Sequence, residues 1–521
     1  MALMLQRLPG IRRNSRVAIG WSLLSGVLYA LAQPGWDLWP LAFVCGVPLL
    51  LALEGVSLGR RIGLGWLAGT AATCCSTVIP AAVSSSSYFG VPMWQALVIA
   101  FSVGQLFGAG SFAALAALAG PLSSPRPAAV ALRVAVAWAA AEFLRSTLWT
   151  GLPWILLGQA LTPVPALAQA AAYTGVPGVT FLVAAANAGL WALLRPGARA
   201  QAVGTLAAVG SLFLAAWFAS PLRLDVPQPG AVLAAGTAGE GALRVLLVQG
   251  NLPNQRRSGT GSVSSELERL LRLTDRPDVD LAIWPENAVR ALLPINTELL
   301  ASGWRQLEHP PARLLLGAPR HDPEEPGVLY NSALLYDADL RLLGHHDKIH
   351  LLPFGEYTPE LFRALGFGGH DTAPGEQARV LAPQSLRIGS LVCYEIAFEA
   401  LPVALVRDGA DLLVNLSNDG WFGRTGAIEQ HFSAAVFRAI ETGRPVLRAT
   451  NTGVTAAVDA FGRVVARAPL QEPTVLEIDV VPGGPSTLYA ATGNLLGPMC
   501  LFTALLLSAL PILERQRKRT A

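Results

Sequence analysis

Three stretches of the chain carry side chains that could do covalent chemistry. Gly389-Ser390-Leu391-Val392-Cys393-Tyr394-Glu395-Ile396 delivers a thiol at the carboxyl end of an apolar run. Leu281-Ala282-Ile283-Trp284-Pro285-Glu286-Asn287 delivers a carboxylate in the same way. The stretch from His346 to Tyr357 supplies Lys348 and then a second carboxylate, Glu356. A thiolate is the strongest side-chain nucleophile near neutral pH. It needs a base that takes its proton and later returns it to a leaving group, and Glu286 is the candidate. A tetrahedral acyl intermediate needs fixed positive charge at its oxyanion, and Lys348 is the candidate; a buried ammonium there would also depress the thiol pKa. Each residue has a plainer reading: Cys393 as a small core side chain, Glu286 as a turn carboxylate, Lys348 as a solvated strand-end base and Glu356 as a loop acid. Their shared position, where apolar runs give way to loops, favours acyl chemistry at a cysteine.

The elements that must position these groups are legible as short runs. Val245–Gln249, Leu281–Trp284, Leu314–Gly317, Ser332–Tyr336, Ile388–Val392, Leu412–Asn415 and Val446–Ala449 are predicted strands, and Ser264–Leu273, Phe398–Arg407 and Ile428–Glu441 are predicted helices. Continuous apolar strands with helices between them indicate sheets covered on their outer faces, an α/β layered domain. Residues 221–242, rich in Gly, Ala and Pro, read as a linker.

Only 14% of the 521 residues are charged and 52% are hydrophobic, where a soluble protein averages about 25% charged. The deficit is uneven, which divides the chain into a membrane domain over 1–220, a catalytic domain over 221–490, and a last transmembrane helix with a basic tail over 491–521. Spans are expected near 17–33, 37–55, 62–80, 93–119, 129–147, 166–194, 202–219 and 491–512, seven before the domain and one after. The first is read as a retained helix, not a cleaved signal, because apolar spans continue beyond it. With eight spans, the basic clusters at Arg7 to Arg16, Arg60 and Arg61, Arg126, Arg195 and Arg199, and Arg515 to Arg519 all fall on one side. That side is expected to be cytoplasmic, with the 221–490 domain on the opposite, periplasmic face of a bacterial inner membrane. Within the spans, Glu142 and Arg145, followed by Gly151-Leu152-Pro153-Trp154, read equally as a structural ion pair with an interfacial anchor or as substrate contacts. A net charge of +3 gives no reason to expect nucleic acid. Of the five cysteines, only Cys393 lies in the 221–490 domain, so no disulfide forms within it. No zinc-type spacing exists, and His345, His346 and His350 read as strand and loop residues, with no metal expected.

Trp284-Pro285-Glu286, the Lys348 stretch and Cys393-Tyr394-Glu395 resemble the Glu-Lys-Cys triad of the nitrilase superfamily. Their flanks resemble the apolipoprotein N-acyltransferases more closely: Val248-Gln249-Gly250-Asn251, His350 to Tyr357, Asn415-Leu416-Ser417-Asn418-Asp419-Gly420-Trp421-Phe422, Arg448 to Gly453, and the membrane stretch through Pro153-Trp154. The resemblance implies a polytopic helical membrane domain of about eight spans with an αββα nitrilase-like sandwich. It implies Cys393 as nucleophile, Glu286 as general base and Lys348 as the stabiliser of the intermediate. Glu356, Tyr394 and Glu395 match further residues the family requires; Trp421, Phe422 and Asn251 match positions that shape the pocket or bind substrate. The implied reaction moves an acyl chain from a phospholipid, typically phosphatidylethanolamine, to the amino-terminal diacylglyceryl-cysteine of an apolipoprotein through a thioester. No cofactor is implied, and nothing requires more than a monomer. One departure stands out: relatives carry a tryptophan about five residues beyond the Gln249–Pro253 motif, where this chain reads Asn254-Gln255-Arg256-Arg257-Ser258, and Arg256 or Arg257 is expected to serve near the lipid head group instead. The apolar, glycine-ended stretch Leu361 to Gly369 is expected to be a mobile flap. The competing readings are a membrane-tethered amidase that releases acyl groups to water, and a non-catalytic scaffold.

Overall fold

The computed structural model describes residues 15–122, 126–220, 229–236, 241–252, 263–289, 293, 297–322, 327–353, 355–358, 360, 363, 372–381 and 386–520. The expected flap at 361–369 and the Arg256–Arg257 substitution lie outside these residues, apart from Arg363.

Among the described residues, six helices are long and apolar enough to cross a membrane: α1 (Ser15–Ala32), α2 (Leu58–Ser87), α3 (Met93–Leu118), α4 (Pro127–Thr147), α5 (Ala171–Leu193) and α6 (Arg199–Ala219). The two other expected spans contain shorter apolar helices, Trp39–Ala52 and Leu496–Leu510. The first of these divides into a 3-10 turn, Trp39–Phe43, and a helix, Gly46–Ala52. Hydropathy alone had merged the two, because prolines at 40 and 48 sit in an otherwise apolar run. The protein is therefore a multi-pass membrane protein.

The remainder forms two facing sheets. One runs β1 (Val232–Ala234), β13 (Thr474–Val480), β2 (Leu243–Gln249), β3 (Leu281–Ile283), β4 (Arg313–His321), β5 (Leu329–Asp337), β6 (Leu342–Asp347); the other runs β12 (Val464–Arg467), β11 (Ala456–Val458), β10 (Val446–Thr450), β9 (Leu412–Ser417), β8 (Ile388–Val392), β7 (Val380–Leu381). Part of the expected linker is thus an edge strand, β1, paired antiparallel with β13. At the centre of each sheet the strands are parallel, β2 with β3 and β4, and β8 with β9 and β10.

Side-chain alternation builds the layers. From β2, Val245 and Leu247 enter the core between the sheets, together with Ile388, Val392, Leu412, Val414 and Leu416 from the opposite sheet. Leu246 and Val248 point the other way, into a core shared with α7 (Val263–Thr274) and α8 (Thr297–Trp304). From the second sheet, Leu391 and Leu413 face α9 (Ala400–Arg407) and α10 (Ala427–Thr442). That outer core does not end at the helices. Leu401, Leu405, Phe432, Phe437 and Ile440 belong to the same buried cluster as Trp138, Leu157, Val179 and Val183 of the membrane bundle. The order of layers is helices, sheet, sheet, helices, membrane bundle. The final helix, α11 (Leu496–Thr520), returns to the bundle, where Cys500 and Ala504 pack on Val136, Ala139 and Ala140 of α4.

Candidate active site

The parallel strands bring their carboxyl ends to one rim, where ligands of α/β sheets bind. Glu286 follows β3, Lys348 follows β6 and Cys393 follows β8. The structure gathers all three. Glu286 and Lys348 are each 1% exposed and Cys393 is 7% exposed.

Glu286 accepts from Asn331 Nδ2 through Oε1 at 2.8 Å and from the Asn418 N–H through Oε2 at 2.9 Å. Lys348 Nζ lies 3.6 Å from Glu286 Oε1 and 2.7 Å from Glu356 Oε2. Asn331 also donates to Glu356 Oε1 at 2.8 Å, and the Leu352 N–H donates to Glu356 Oε2 at 2.8 Å. The lysine therefore sits between two carboxylates that one amide holds in place. Burial raises the Glu286 pKa against the opposing pull of Lys348. Burial works to lower Lys348, but Glu356 and Glu286 outweigh it and keep the ammonium charged.

Cys393 opens a 3-10 turn, Cys393–Ala397, with a left-handed φ of 53°, a conformation that costs a side-chain-bearing residue about 1–3 kcal/mol and recurs at functional sites. Its buried thiol lies close enough to the Glu286 carboxylate for the carboxylate's charge to bear on it. The expected depression of the thiol pKa by Lys348 does not prevail. Burial, then the neighbouring Glu286 charge, push the thiol up, and Lys348 pulls it down by less. The resting cysteine is a thiol beside a carboxylate, an arrangement suited to proton transfer during attack rather than to a preformed thiolate.

Glu395 joins the turn to the lysine loop. Its Oε1 accepts from the Ile349 and His350 N–H groups at 2.6 and 3.3 Å, and its Oε2 from the Val392 N–H at 2.7 Å; His346 Nε2 lies 3.0 Å from Oε2. Against the effect of burial, His346 and these donors hold its carboxyl below the ordinary range. Tyr394 is buried and packs edge-on to Phe398 at 5.0 Å. Phe422 lies 5.8 Å from the ring of Trp154, which comes from the loop between α4 and α5 and also meets Tyr394 at 6.2 Å. Trp421 is buried in the same 3-10 turn, Asp419–Phe422. The membrane stretch thus contributes Trp154 directly to the rim. Glu142, by contrast, is knitted into the bundle: it accepts from the Leu157 N–H at 2.8 Å and Thr180 Oγ1 at 2.7 Å, with Arg145 at 4.0 Å. That geometry favours the structural reading of the Glu142–Arg145 pair. Asn251, φ 45°, donates its side-chain amide to the Gln471 carbonyl at 2.8 Å and its backbone N–H to the Asn451 carbonyl at 3.0 Å, so these hydrogen bonds serve loop closure, not the triad.

Sequence reasoning missed Asn331, because a lone asparagine inside a strand carries no pattern. It also gave no role to Asn415, Asp419, His431 and Arg448, although Asn415, Asp419 and Arg448 lie in quoted motifs.

A family model described as carbon-nitrogen hydrolase matches residues 307–484, and one described as apolipoprotein N-acyltransferase N-terminal domain matches 25–189. The apolipoprotein N-acyltransferase of Geobacter metallireducens is 33% identical over 97% of this chain and 97% of its own length. That of Rhodopseudomonas palustris is 30% identical over 96% of each chain. Among solved structures, an amidase from Nesterenkonia is similar at 19% identity and a TM-score of 0.38, over 50% of this chain and 96% of that one.

Proposed function

The chain belongs to the apolipoprotein N-acyltransferase family, and we propose that Cys393 carries the acyl group between its two substrates with Glu286 and Lys348 as partners. The enzyme moves a fatty acyl chain from a membrane phospholipid to the amino-terminal amine of a diacylglyceryl-cysteine on an apolipoprotein. In the first half-reaction Glu286 takes the thiol proton as Sγ attacks the ester carbonyl. Lys348 meets the developing oxyanion. Collapse expels the lysophospholipid alkoxide, which takes the proton back from Glu286, and leaves a thioester. In the second half the amine attacks the thioester carbonyl and loses its proton to Glu286. The carboxylic acid returns that proton to the departing thiolate, and an amide results. Splitting one difficult transfer into two gives ping-pong kinetics.

The observation that supports this reading is the burial of Cys393, Glu286 and Lys348 together at one rim, with Lys348 Nζ 3.6 Å from Glu286 Oε1. Glu356 holds the lysine, Glu395 and Tyr394 set the nucleophile's turn, and Trp421 and Phe422 shape the pocket, to which Trp154 adds a membrane-domain wall. The donor is phosphatidylethanolamine, the enzyme acts as a monomer, and the catalytic domain faces the periplasm from the inner membrane. An acyl tail, at about 0.8 kcal/mol per buried CH₂, favours an enzyme seated in the bilayer, which argues against release to water as the purpose of the site.

Mass spectrometry after incubation with phosphatidylethanolamine alone is expected to find one acyl adduct on Cys393, removed by hydroxylamine and absent in Cys393→Ser. Adding a diacylated lipopeptide should discharge it to an amide. Intact lipid and an unmodified protein would overturn the assignment; discharge to water alone would favour the hydrolase.

A further inference from the structure

Behind the nucleophile, four buried polar side chains that the proposed cycle does not use form one network. Arg448 is fully buried. Its Nη2 lies 2.9 and 2.8 Å from the two oxygens of Asp419 and 3.0 Å from His431 Nδ1, and its Nη1 donates to Asn415 Oδ1. The far ends of both partners converge on a single acceptor. His431 Nε2 lies 3.1 Å from the Cys393 carbonyl oxygen, and Asn415 Nδ2 donates to the same oxygen at 3.2 Å.

The guanidinium therefore decides two orientations at once. With Asn415 Oδ1 turned to Arg448, its amide nitrogen must face Cys393. His431 Nδ1 is held between Asp419 Oδ1 at 2.9 Å and Arg448 Nη2 at 3.0 Å, and Nε2 faces a carbonyl oxygen that can only accept, so the ring presents an Nε2 proton to Cys393. Asp419, held ionised in spite of burial by Arg448 first and by its contact with His431 Nδ1, balances the arginine.

A peptide unit is planar, so a carbonyl fixed by two donors fixes the N–H on its opposite side. Here that N–H belongs to Tyr394, in the first turn of a 3-10 helix, where amide protons have no intrahelical partner to receive them. We infer that His431, oriented by Arg448 and Asp419, is a positioning residue that clamps the Cys393–Tyr394 peptide, so that the Tyr394 N–H joins Lys348 in holding the acyl oxygen. This rests on the reading of Cys393 as the nucleophile. It also accounts for the left-handed backbone at Cys393: the clamp supplies the interactions that hold a φ of 53°.

The test compares His431→Gln, whose amide nitrogen reaches the place of Nε2, with His431→Asn, whose shorter amide does not, and with His431→Leu. The readouts are the rate of thioester formation from phosphatidylethanolamine, its dependence on lipid concentration, and the infrared carbonyl stretch of a ¹³C-labelled acyl-enzyme. Expected is a fall of about 10- to 100-fold in the maximal acylation rate for Asn and Leu, less than the loss of a whole oxyanion donor, with half-saturation by lipid unchanged. Their thioester carbonyl should absorb at higher frequency, as a weaker hydrogen bond requires. Gln should restore most of the rate and the native frequency. A residue that merely fills space beside Trp154 and Phe422, 5.6 and 5.9 Å away, would not separate Gln from Asn. If Leu fails to fold, the Gln and Asn pair still decides. Equal rates and equal carbonyl frequencies in Gln and Asn would overturn the clamp while leaving the nucleophile in place. An unlabelled Cys393 in the unsubstituted enzyme would overturn both.

Discussion

Glu395 takes no part in the bond changes of the proposed cycle, yet it holds the nucleophile's turn against the lysine's loop. Three backbone N–H groups and His346 surround its two oxygens. A glutamine there would turn an amide group toward donors, so Glu395→Gln is expected to destabilise the protein by about 3 kcal/mol, as removal of one partner from a buried charged network does. The pH dependence has a definite sign. Because the folded carboxyl is held below its ordinary value, ionisation contributes stability above the unfolded carboxyl pKa and loses it as pH falls through the folded one. Thermal midpoints of the native enzyme should fall on acidification below about pH 4.5, and part of that fall should be missing in Glu395→Gln. Melting curves across pH 3 to 7 would check both. Residues such as Glu395 are legible from the motif that contains them, but their partners are not: His346 is 49 positions away and only folding brings it near.

At the scale of elements, β4 sets where the Glu286 turn can lie. Gly317 has no side chain, and a Cβ there would come within 2.6 Å of Glu286 Cα and 2.7 Å of the Pro285 carbonyl oxygen. These are backbone atoms and cannot rotate away. Gly317→Ala is therefore expected to displace the carboxylate, lowering the acylation rate by at least about 10-fold, since a misplacement near 1 Å costs on that order or more. Its stability cost should be about 1–3 kcal/mol. Acyl-adduct kinetics alongside thermal denaturation would separate the two effects. The central parallel strands were readable because burial on both faces makes them continuously apolar; β8 spans the expected Ile388–Val392. The outer strands were not. β12 is largely exposed, β13 is interrupted by Glu477 and Asp479, and β7 has only two residues. Each is defined by its pairing partner rather than by its own composition. The split of 37–55 into two short helices was hidden for a related reason: hydropathy measures solvent, not backbone continuity.

For the whole molecule, the decisive feature is that the outer helices of the catalytic domain and the membrane bundle share one buried cluster. A chain cut to residues 221–490 would expose Leu401, Leu405, Phe432, Phe437 and Ile440 together, a contiguous apolar face of the kind monomeric soluble proteins avoid. Such a fragment is expected to aggregate or to bind detergent micelles, and size-exclusion chromatography with and without detergent would tell. A monodisperse fragment without detergent would count against the shared core.

The packing of α11 on α4 has a further consequence. The catalytic domain leaves the bundle after α6 and re-enters it beside α4, so it is stitched down at both ends as well as along its underside. Domains joined by one strand of chain can swing; this one is tied to the bundle by a shared core and by the packing of α11 on α4. The position of Cys393 relative to the membrane bundle is then set by the fold. An acceptor must then bring its amine to that one place. For the lipoprotein acceptor proposed above, reach would then depend on the length and slackness of the polypeptide just beyond the lipidated residue.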